Sequence, residues 1–169
     1  ASGINYFINF TYSKIMNFPI LSSLILLPTV GALFIFFSKS NSEKHQGIKY
    51  VSLFVSFANF LLSLYLWYLF DSTTYEFQFV ENREWITNFI NYKVGVDGIS
   101  ILFIILTTFI TPLCIISVNN SIKNRLREFL ITILIMESFM IGVFCSLDLV
   151  IFYLFFEAGL IPMFLIIGI

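Results

Sequence analysis

The sequence has 169 residues, of which 59% are apolar and 11% charged, whereas an ordinary soluble domain is about 45–50% apolar and about 25% charged. A soluble globule of this length has too little interior for so much apolar surface, so the composition excludes an ordinary soluble enzyme and predicts a chain in a lipid bilayer. The net charge of −1 excludes the basic surface of a nucleic-acid-binding protein, and no nucleic-acid partner is expected.

Five apolar runs are long enough to cross a bilayer, which takes about 20 residues. They cover residues 18–37, 48–70, 99–118, 129–145 and 149–169. No small-residue cleavage site follows the first run, so it is predicted to be a membrane helix and not a signal peptide. Four prolines fall within these runs, which membrane helices tolerate: Pro19, Pro28, Pro112 and Pro162. The predicted fold class is therefore an all-α membrane protein, with a single transmembrane domain over residues 1–169.

The connections between the runs carry most of the charge. The first and third connections, residues 38–47 and 119–128 with Lys49 just beyond the first, hold six of the nine Lys and Arg residues. Under the positive-inside rule these two connections face the cytoplasm or matrix. The amino terminus with Lys14 and the long second connection, residues 71–98, are expected on the outer side.

The second connection contains a strand-like pattern near its end. Every second residue there is apolar: Ile90, Tyr92, Val94 and Val96. This alternation predicts a half-buried strand, and a weaker alternation begins near Phe77. A short hairpin on the outer surface and an ordered loop both remain open. Asp97 directly precedes the third run, where a carboxylate is typical of a helix N-cap.

Glu137 and Glu157 are the acidic residues within the fourth and fifth runs. An ionised carboxylate at bilayer depth costs about 2.5–3.5 kcal/mol on insertion scales, so such residues are candidates for function. Each lies nine residues from the tight turn at 146–148, which is about 13–14 Å along a helix. Half of the hydrocarbon core is about 15 Å. Both carboxyl groups are therefore expected near the midplane, on neighbouring helices.

A midplane carboxyl group whose surroundings change can take up and release a proton, so Glu157 and Glu137 are the predicted proton relay. The alternative is that each glutamate only hydrogen-bonds to a neighbouring helix and fixes its packing. Asp148 is predicted to cap the fifth helix. The threonines of the third helix are predicted to bond to carbonyl groups of their own helix: Thr107, Thr108 and Thr111.

The cysteines and the histidine indicate no cofactor of the chain's own. Cys114 and Cys145 lie in apolar runs without a C-x-x-C spacing, and His45 is the only histidine. These residues predict no disulfide, no iron–sulfur cluster and no metal site.

Three segments resemble chain 4 of NADH–ubiquinone oxidoreductase, respiratory complex I. They are residues 92–100 (YKVGVDGIS), 140–148 (MIGVFCSLD) and 155–168 (FFEAGLIPMFLIIG). The resemblance implies an antiporter-like membrane-arm subunit that moves protons when electrons pass from NADH to quinone elsewhere in the complex. It also implies that NADH, flavin, iron–sulfur and quinone sites belong to other subunits, which are the expected partners.

The resemblance also assigns the two glutamates. Glu157 falls on a fifth-helix glutamate that the family pairs with a lysine on a later helix, and Glu137 falls on a fourth-helix glutamate. The family's chain continues well beyond a fifth helix. A split gene, a truncation or a partial chain would each explain the difference. A split gene is favoured, with the remaining helices on a second polypeptide.

The implied location is the mitochondrial inner membrane, with a bacterial plasma membrane as the alternative. The abundance of Phe, with 22 residues, and of other AT-coded residue types favours a mitochondrial genome. Two other functions remain open: a subunit of a multi-chain cation/proton antiporter, and a purely structural membrane-arm subunit.

Overall fold

The structure is a computed structural model that describes residues 19–38, 45–87, 90–118 and 125–168. These residues form five helices and a two-stranded sheet. In chain order they are α1 (Ile20–Phe37), α2 (His45–Leu69), β1 (Gln78–Thr87), β2 (Ile90–Val96), α3 (Gly98–Ser117), α4 (Leu126–Cys145) and α5 (Leu149–Gly168). All five helices are long and apolar enough to cross a membrane. The predicted all-α membrane fold with five spanning helices is confirmed.

The observed helix ends lie within three residues of the predicted ones. The largest differences are at the starts of α2 and α4, which begin three residues before the apolar runs. In α4 the extra residues include Glu128, whose charge in the first turn interacts favourably with the positive end of the helix dipole. Pro19, predicted to lie inside the first helix, instead precedes α1 as its N-cap residue.

Helix α4 lies at the centre of the bundle and contacts each of the other four helices. Helix α5 packs mainly against α4 and buries only Ile151 and Pro162. At one end of the bundle, the Arg127 guanidinium donates to the carbonyl groups of Ile35 and Phe36, which joins the start of α4 to the end of α1. These contacts place the end of α1 and the start of α4 at the same end of the bundle.

The segment between α2 and α3 contains an antiparallel pair of strands, β1 and β2. This strand pair is called the hairpin below, and the side of the membrane that it faces stays a prediction. Four of the lysines behind that prediction lie outside the described residues: Lys14, Lys39, Lys44 and Lys123. The Leu147 N–H donates to the Lys93 carbonyl at 2.9 Å, so the hairpin covers the turn between α4 and α5.

Asp97 and Asp148 begin the helices that they were predicted to cap. The Asp97 carboxylate accepts from the Ser100 N–H at 2.7 Å, and the Ser100 hydroxyl accepts from the Asp97 N–H at 2.9 Å. These two bonds form a capping box. The Asp148 carboxylate accepts from the Val150 N–H at 2.8 Å. Both predictions are confirmed.

Candidate functional site: a polar layer inside the bundle

The buried interior consists of two apolar clusters separated by polar side chains. The hairpin cluster comprises Ile20, Leu21, Leu24, Ile25, Leu66, Val94, Val96, Ile101, Ile104, Ile141 and Cys145. The far cluster comprises Ala32, Ile35, Ile48, Ile115, Phe129, Leu130 and Leu134. Between them along α2, α3 and α4 lies the polar layer: Ser52, Ser56, Asn59, Ser63, Thr108, Thr111, Glu137 and Ser138, all buried. The interior is therefore most polar away from the bundle ends.

Helix α2 supplies the largest share of the polar layer. Its four members, Ser52, Ser56, Asn59 and Ser63, follow each other at intervals of four, three and four residues and are all 0% exposed. This spacing places them on one face of the helix. The opposite face carries large exposed side chains such as Phe54 and Phe57. The helix turns its polar face inward because polar groups are costly against lipid.

Glu137 is the acidic member of the polar layer. Its side chain is 2% exposed, and its Oε1 accepts a hydrogen bond from Asn59 Nδ2 at 2.8 Å. Within the described residues, neither Glu137 Oε2 nor Asn59 Oδ1 has a hydrogen-bond partner. A buried polar atom without a partner costs about 1–3 kcal/mol. The pair is therefore suited to an additional proton or donor group.

The remaining polar side chains mostly bond to backbone carbonyl groups. Thr108 donates to Ile104 O at 3.0 Å, and Thr111 donates to Thr107 O at 3.0 Å. The prediction that the α3 threonines bond to their own helix is confirmed. Ser138 is different, since its hydroxyl donates across to the Ile25 carbonyl of α1 at 2.5 Å.

Glu157 lies outside the polar layer. Its side chain is exposed on α5, where it lines a shallow depression with Ala158, Leu160, Ile161 and Phe164. The turn that sets the depth of both acids is formed as expected, since α4 ends at Cys145 and α5 begins at Leu149. The two carboxyl groups nevertheless occupy different environments: Glu137 bonds to Asn59 in the interior, and Glu157 faces outward.

Asn59 is the site residue that the sequence reasoning missed. An acidic residue stands out in an apolar run, whereas the amide of Asn59 is neutral and does not. The available signal was an Asn in the middle of a membrane helix with serines three residues before and four residues after it. Separately, no group of three His, Cys, Asp or Glu side chains that could hold a metal ion is found in the described parts of the chain.

Comparisons with known proteins give consistent matches. The family described as NADH-ubiquinone oxidoreductase chain 4, amino terminus, matches residues 23–143. NADH-ubiquinone oxidoreductase chain 4 of Marchantia polymorpha is 48% identical over 150 residues, which is 88% of this chain and 30% of that protein. NADH-quinone oxidoreductase subunit M of Rhodobacter capsulatus is 49% identical over 152 residues, which is 89% of this chain and 29% of that protein.

A solved structure matches as well. Respiratory complex I from Thermus thermophilus with bound NADH contains a chain that superposes with a TM-score of 0.67 at 26% identity. The superposition covers 84% of this chain and 27% of that one. The chain thus spans about three tenths of the length of the curated relatives that it matches.

Proposed function

The chain belongs to the NADH-ubiquinone oxidoreductase chain 4 family, and from that premise we propose that it provides the amino-terminal part of a proton-translocating membrane-arm subunit of NADH–ubiquinone oxidoreductase. The family resemblance read from the sequence is confirmed by these matches. The chain is a multi-pass membrane protein. Its eukaryotic relatives support the mitochondrial inner membrane, and its bacterial relatives correspond to the alternative of a plasma membrane.

The observation that carries the proposal is a buried glutamate with an unpartnered oxygen inside an apolar bundle. Glu137 has one hydrogen-bond donor, Asn59, and is enclosed between two apolar clusters. An intramembrane acid of this kind is a candidate proton carrier. In the proposed function Glu137 holds a proton in the interior, and the redox reactions occur on other subunits.

Glu157 has the second role in the proposed relay. It is exposed on a helix that buries only two residues. Since an exposed acid on a membrane helix requires a partner, the proposal places a basic side chain of a further helix opposite Glu157. That helix belongs either to the same subunit or to a second polypeptide, and the neighbouring subunits are those of a complex I membrane arm.

The two alternative functions are a subunit of a cation/proton antiporter and a purely structural subunit. A subunit of a multi-chain cation/proton antiporter would carry similar acids, but the named relatives favour complex I. One observation favours a purely structural subunit. The Asn59–Glu137 hydrogen bond joins α2 and α4, and such bonds can serve only to hold membrane helices together. Loss of transport without loss of assembly would distinguish a relay from a structural role.

The test uses the assembled complex with Glu157→Gln or Glu137→Gln, which keep the shape of the side chain and remove its charge. Proton transport and NADH oxidation are measured together in sealed vesicles, and assembly is checked by native electrophoresis. We expect E157Q to lower proton transport on the order of 100-fold, as when a proton-transfer group is lost, while the complex still assembles. The matched control is E128Q, the same change at an exposed position at the start of α4.

The proposal fails if both glutamine variants oxidise NADH and transport protons at the wild-type rate. Sodium-dependent transport without NADH-linked activity would instead assign the chain to an antiporter.

A further inference from the structure

The Asn59–Glu137 pair leaves two acceptor atoms unused. Both side chains are almost completely buried, at 0% and 2% exposure. Their one mutual hydrogen bond uses an Asn59 N–H and Glu137 Oε1. Asn59 Oδ1 and Glu137 Oε2 are left without a donor in the described part of the chain. An ionised carboxylate and an amide carbonyl can only accept, so these two oxygens cannot satisfy each other without an added hydrogen.

The neighbouring hydroxyl groups are already committed as donors. Ser56 lies one turn before Asn59 and donates to the Leu53 carbonyl at 3.0 Å. Ser63 lies one turn after it, 2.7 Å from the Phe60 carbonyl and 2.8 Å from the Thr108 hydroxyl, so its one hydrogen is used by one of these two groups. Because a hydroxyl group has one hydrogen to donate, these two serines offer the pair mainly lone pairs in this arrangement. Within the described residues, this leaves a proton on the carboxyl group or a water molecule as the donor.

We propose that Asn59 is a positioning residue for a hydrogen held at Glu137: its amide N–H fixes Oε1, and its Oδ1 accepts the O–H that a protonated Glu137 carries at Oε2, or a bound water donates one hydrogen to each of the two oxygens. The donor is either the carboxyl proton of Glu137 or a bound water. When Glu137 takes up a proton, one O–H bond forms at Oε2; when it releases the proton, that bond breaks and the carboxylate remains. The predicted effect of Asn59 on proton transport rests on the proposed relay role of Glu137. The predicted hydrogen bonding between Asn59 and Glu137 does not depend on that role.

The surroundings explain why a positioning residue is needed here. The hairpin cluster and the far cluster lie on either side of the pair and consist of apolar side chains. The serines on either side of Asn59 donate to other groups, so without Asn59 the carboxyl group would have few hydrogen-bond donors to orient it. The amide of Asn59, held on a buried helix face, supplies both a donor and an acceptor at the carboxyl group.

The test compares two substitutions of similar size at position 59 in the assembled complex. N59L removes both the donor and the acceptor, whereas N59D keeps oxygen atoms that can share one proton with Glu137. The matched control is T132V, because Thr132 is a buried hydroxyl-bearing residue on α4 that bonds to the Glu128 carbonyl of its own helix. Native electrophoresis establishes assembly, and N59S replaces N59L if the leucine variant does not assemble.

Two readouts are taken from each complex. The first is the proton transport per NADH oxidised, which we expect to fall about 10-fold to 100-fold in N59L, to remain substantial in N59D and to match wild type in T132V. The second is the infrared C=O stretch that disappears in E137Q and therefore belongs to Glu137. We expect N59L to shift this band upward, because the C=O group loses its N–H donor.

The infrared readout also distinguishes the two sources of the donor. A carboxylic-acid band for Glu137 in the wild type identifies the carboxyl proton, and a carboxylate band that N59L shifts identifies water. The inference is overturned if the Glu137 band is the same in wild type and N59L. If the band moves while N59L and E137Q both transport protons normally, the positioning role stands and the relay role of Glu137 fails.

Discussion

Glu81 on the hairpin caps the amino-terminal end of helix α1 by accepting hydrogen bonds from Ser22. The Glu81 carboxylate accepts from the Ser22 N–H at 3.2 Å and from the Ser22 hydroxyl, and also from the Leu21 N–H at 2.9 Å. The bond spans 59 positions in the chain. A helix end usually takes its cap from the preceding residues, but here a strand of the hairpin provides it.

Glu81→Ala should therefore loosen the start of α1. Loss of a capping side chain costs about 0.5–2 kcal/mol, and the Leu21 and Ser22 amide groups should exchange hydrogen faster. Hydrogen-exchange mass spectrometry of the assembled complex measures this effect. E76A, a change at an exposed residue of the same connection, serves as the control. Equal exchange in wild type and E81A would contradict the proposed cap.

The start of α3 should lose stability in acid. Hydrogen bonds from the side chain and backbone of Ser100 lower the pKa of Asp97 below its usual value, which is about 3.9. A carboxyl group with a lowered pKa stabilises the folded state above its usual pKa, and this contribution is lost as the pH falls through the lowered value. Amide exchange near Ser100 should accelerate below about pH 4.

Asp97→Asn is the informative comparison for that prediction. Asparagine also caps helices but does not titrate. The part of the acid-dependent exchange that comes from protonation of Asp97 should therefore be absent in D97N. An unchanged pH dependence in D97N would assign the effect to another group.

The contact between α4 and α5 predicts that alanine substitutions at two glycines differ in their effect on thermal stability. A Cβ added at Gly142 would lie 2.7 Å from Cδ1 of Phe155, whereas one added at Gly159 meets Phe139 Cβ at 3.8 Å. Alanine gains about 1 kcal/mol over glycine within a helix, but overpacking costs about 1–3 kcal/mol. G159A should therefore raise the thermal stability or leave it unchanged, and G142A should lower it.

A second substitution tests the cause. F155L in the G142A background removes the aromatic ring and should restore part of the lost stability. If G142A and G159A melt alike, the close approach of the Phe155 ring to Gly142 is not a constraint.

The orientation in the membrane can be tested with cysteines at the two ends of the bundle. Tyr75 on the hairpin side is fully exposed, and Arg125 at the opposite end is exposed. By the positive-inside rule, Y75C should react with a membrane-impermeant thiol reagent from the outer side, and R125C only after the membrane is opened. The wild-type protein, with its own Cys114 and Cys145, gives the background. The reverse pattern would invert the assigned orientation.

The sequence predicted the elements whose causes are local. Five long apolar runs were sufficient for the helices, and Asp97 was recognised as a cap because a carboxylate immediately precedes an apolar run. The apolar run begins three residues after the start of α4, because the first turn of the helix contains the charged residues Arg127 and Glu128. Hydropathy gives the membrane-embedded part of a helix, and a helix can extend beyond it into the interface.

The pairing of Asn59 with Glu137 could not be predicted in the same way. The two residues are 78 positions apart, and their contact depends on how α2 and α4 are rotated about their axes. Apart from α2, whose Ser and Asn residues share one face, the membrane helices are apolar on nearly every side, so hydropathy gives little indication of which side faces inward. For α5, the outward orientation of Glu157 follows from packing against α4 and not from a local pattern.

The two apolar clusters also have a consequence for the membrane voltage. Because an apolar cluster lies towards each end of the bundle from Glu137, a proton on this residue is expected to lie partway through the electric field of the membrane. Moving one charge across a whole membrane is worth about 2.3 kcal/mol per 100 mV, and reaching mid-depth is worth about half of that. Loading and unloading of this carboxyl group should therefore respond to the transmembrane potential even when the pH on the two sides is equal.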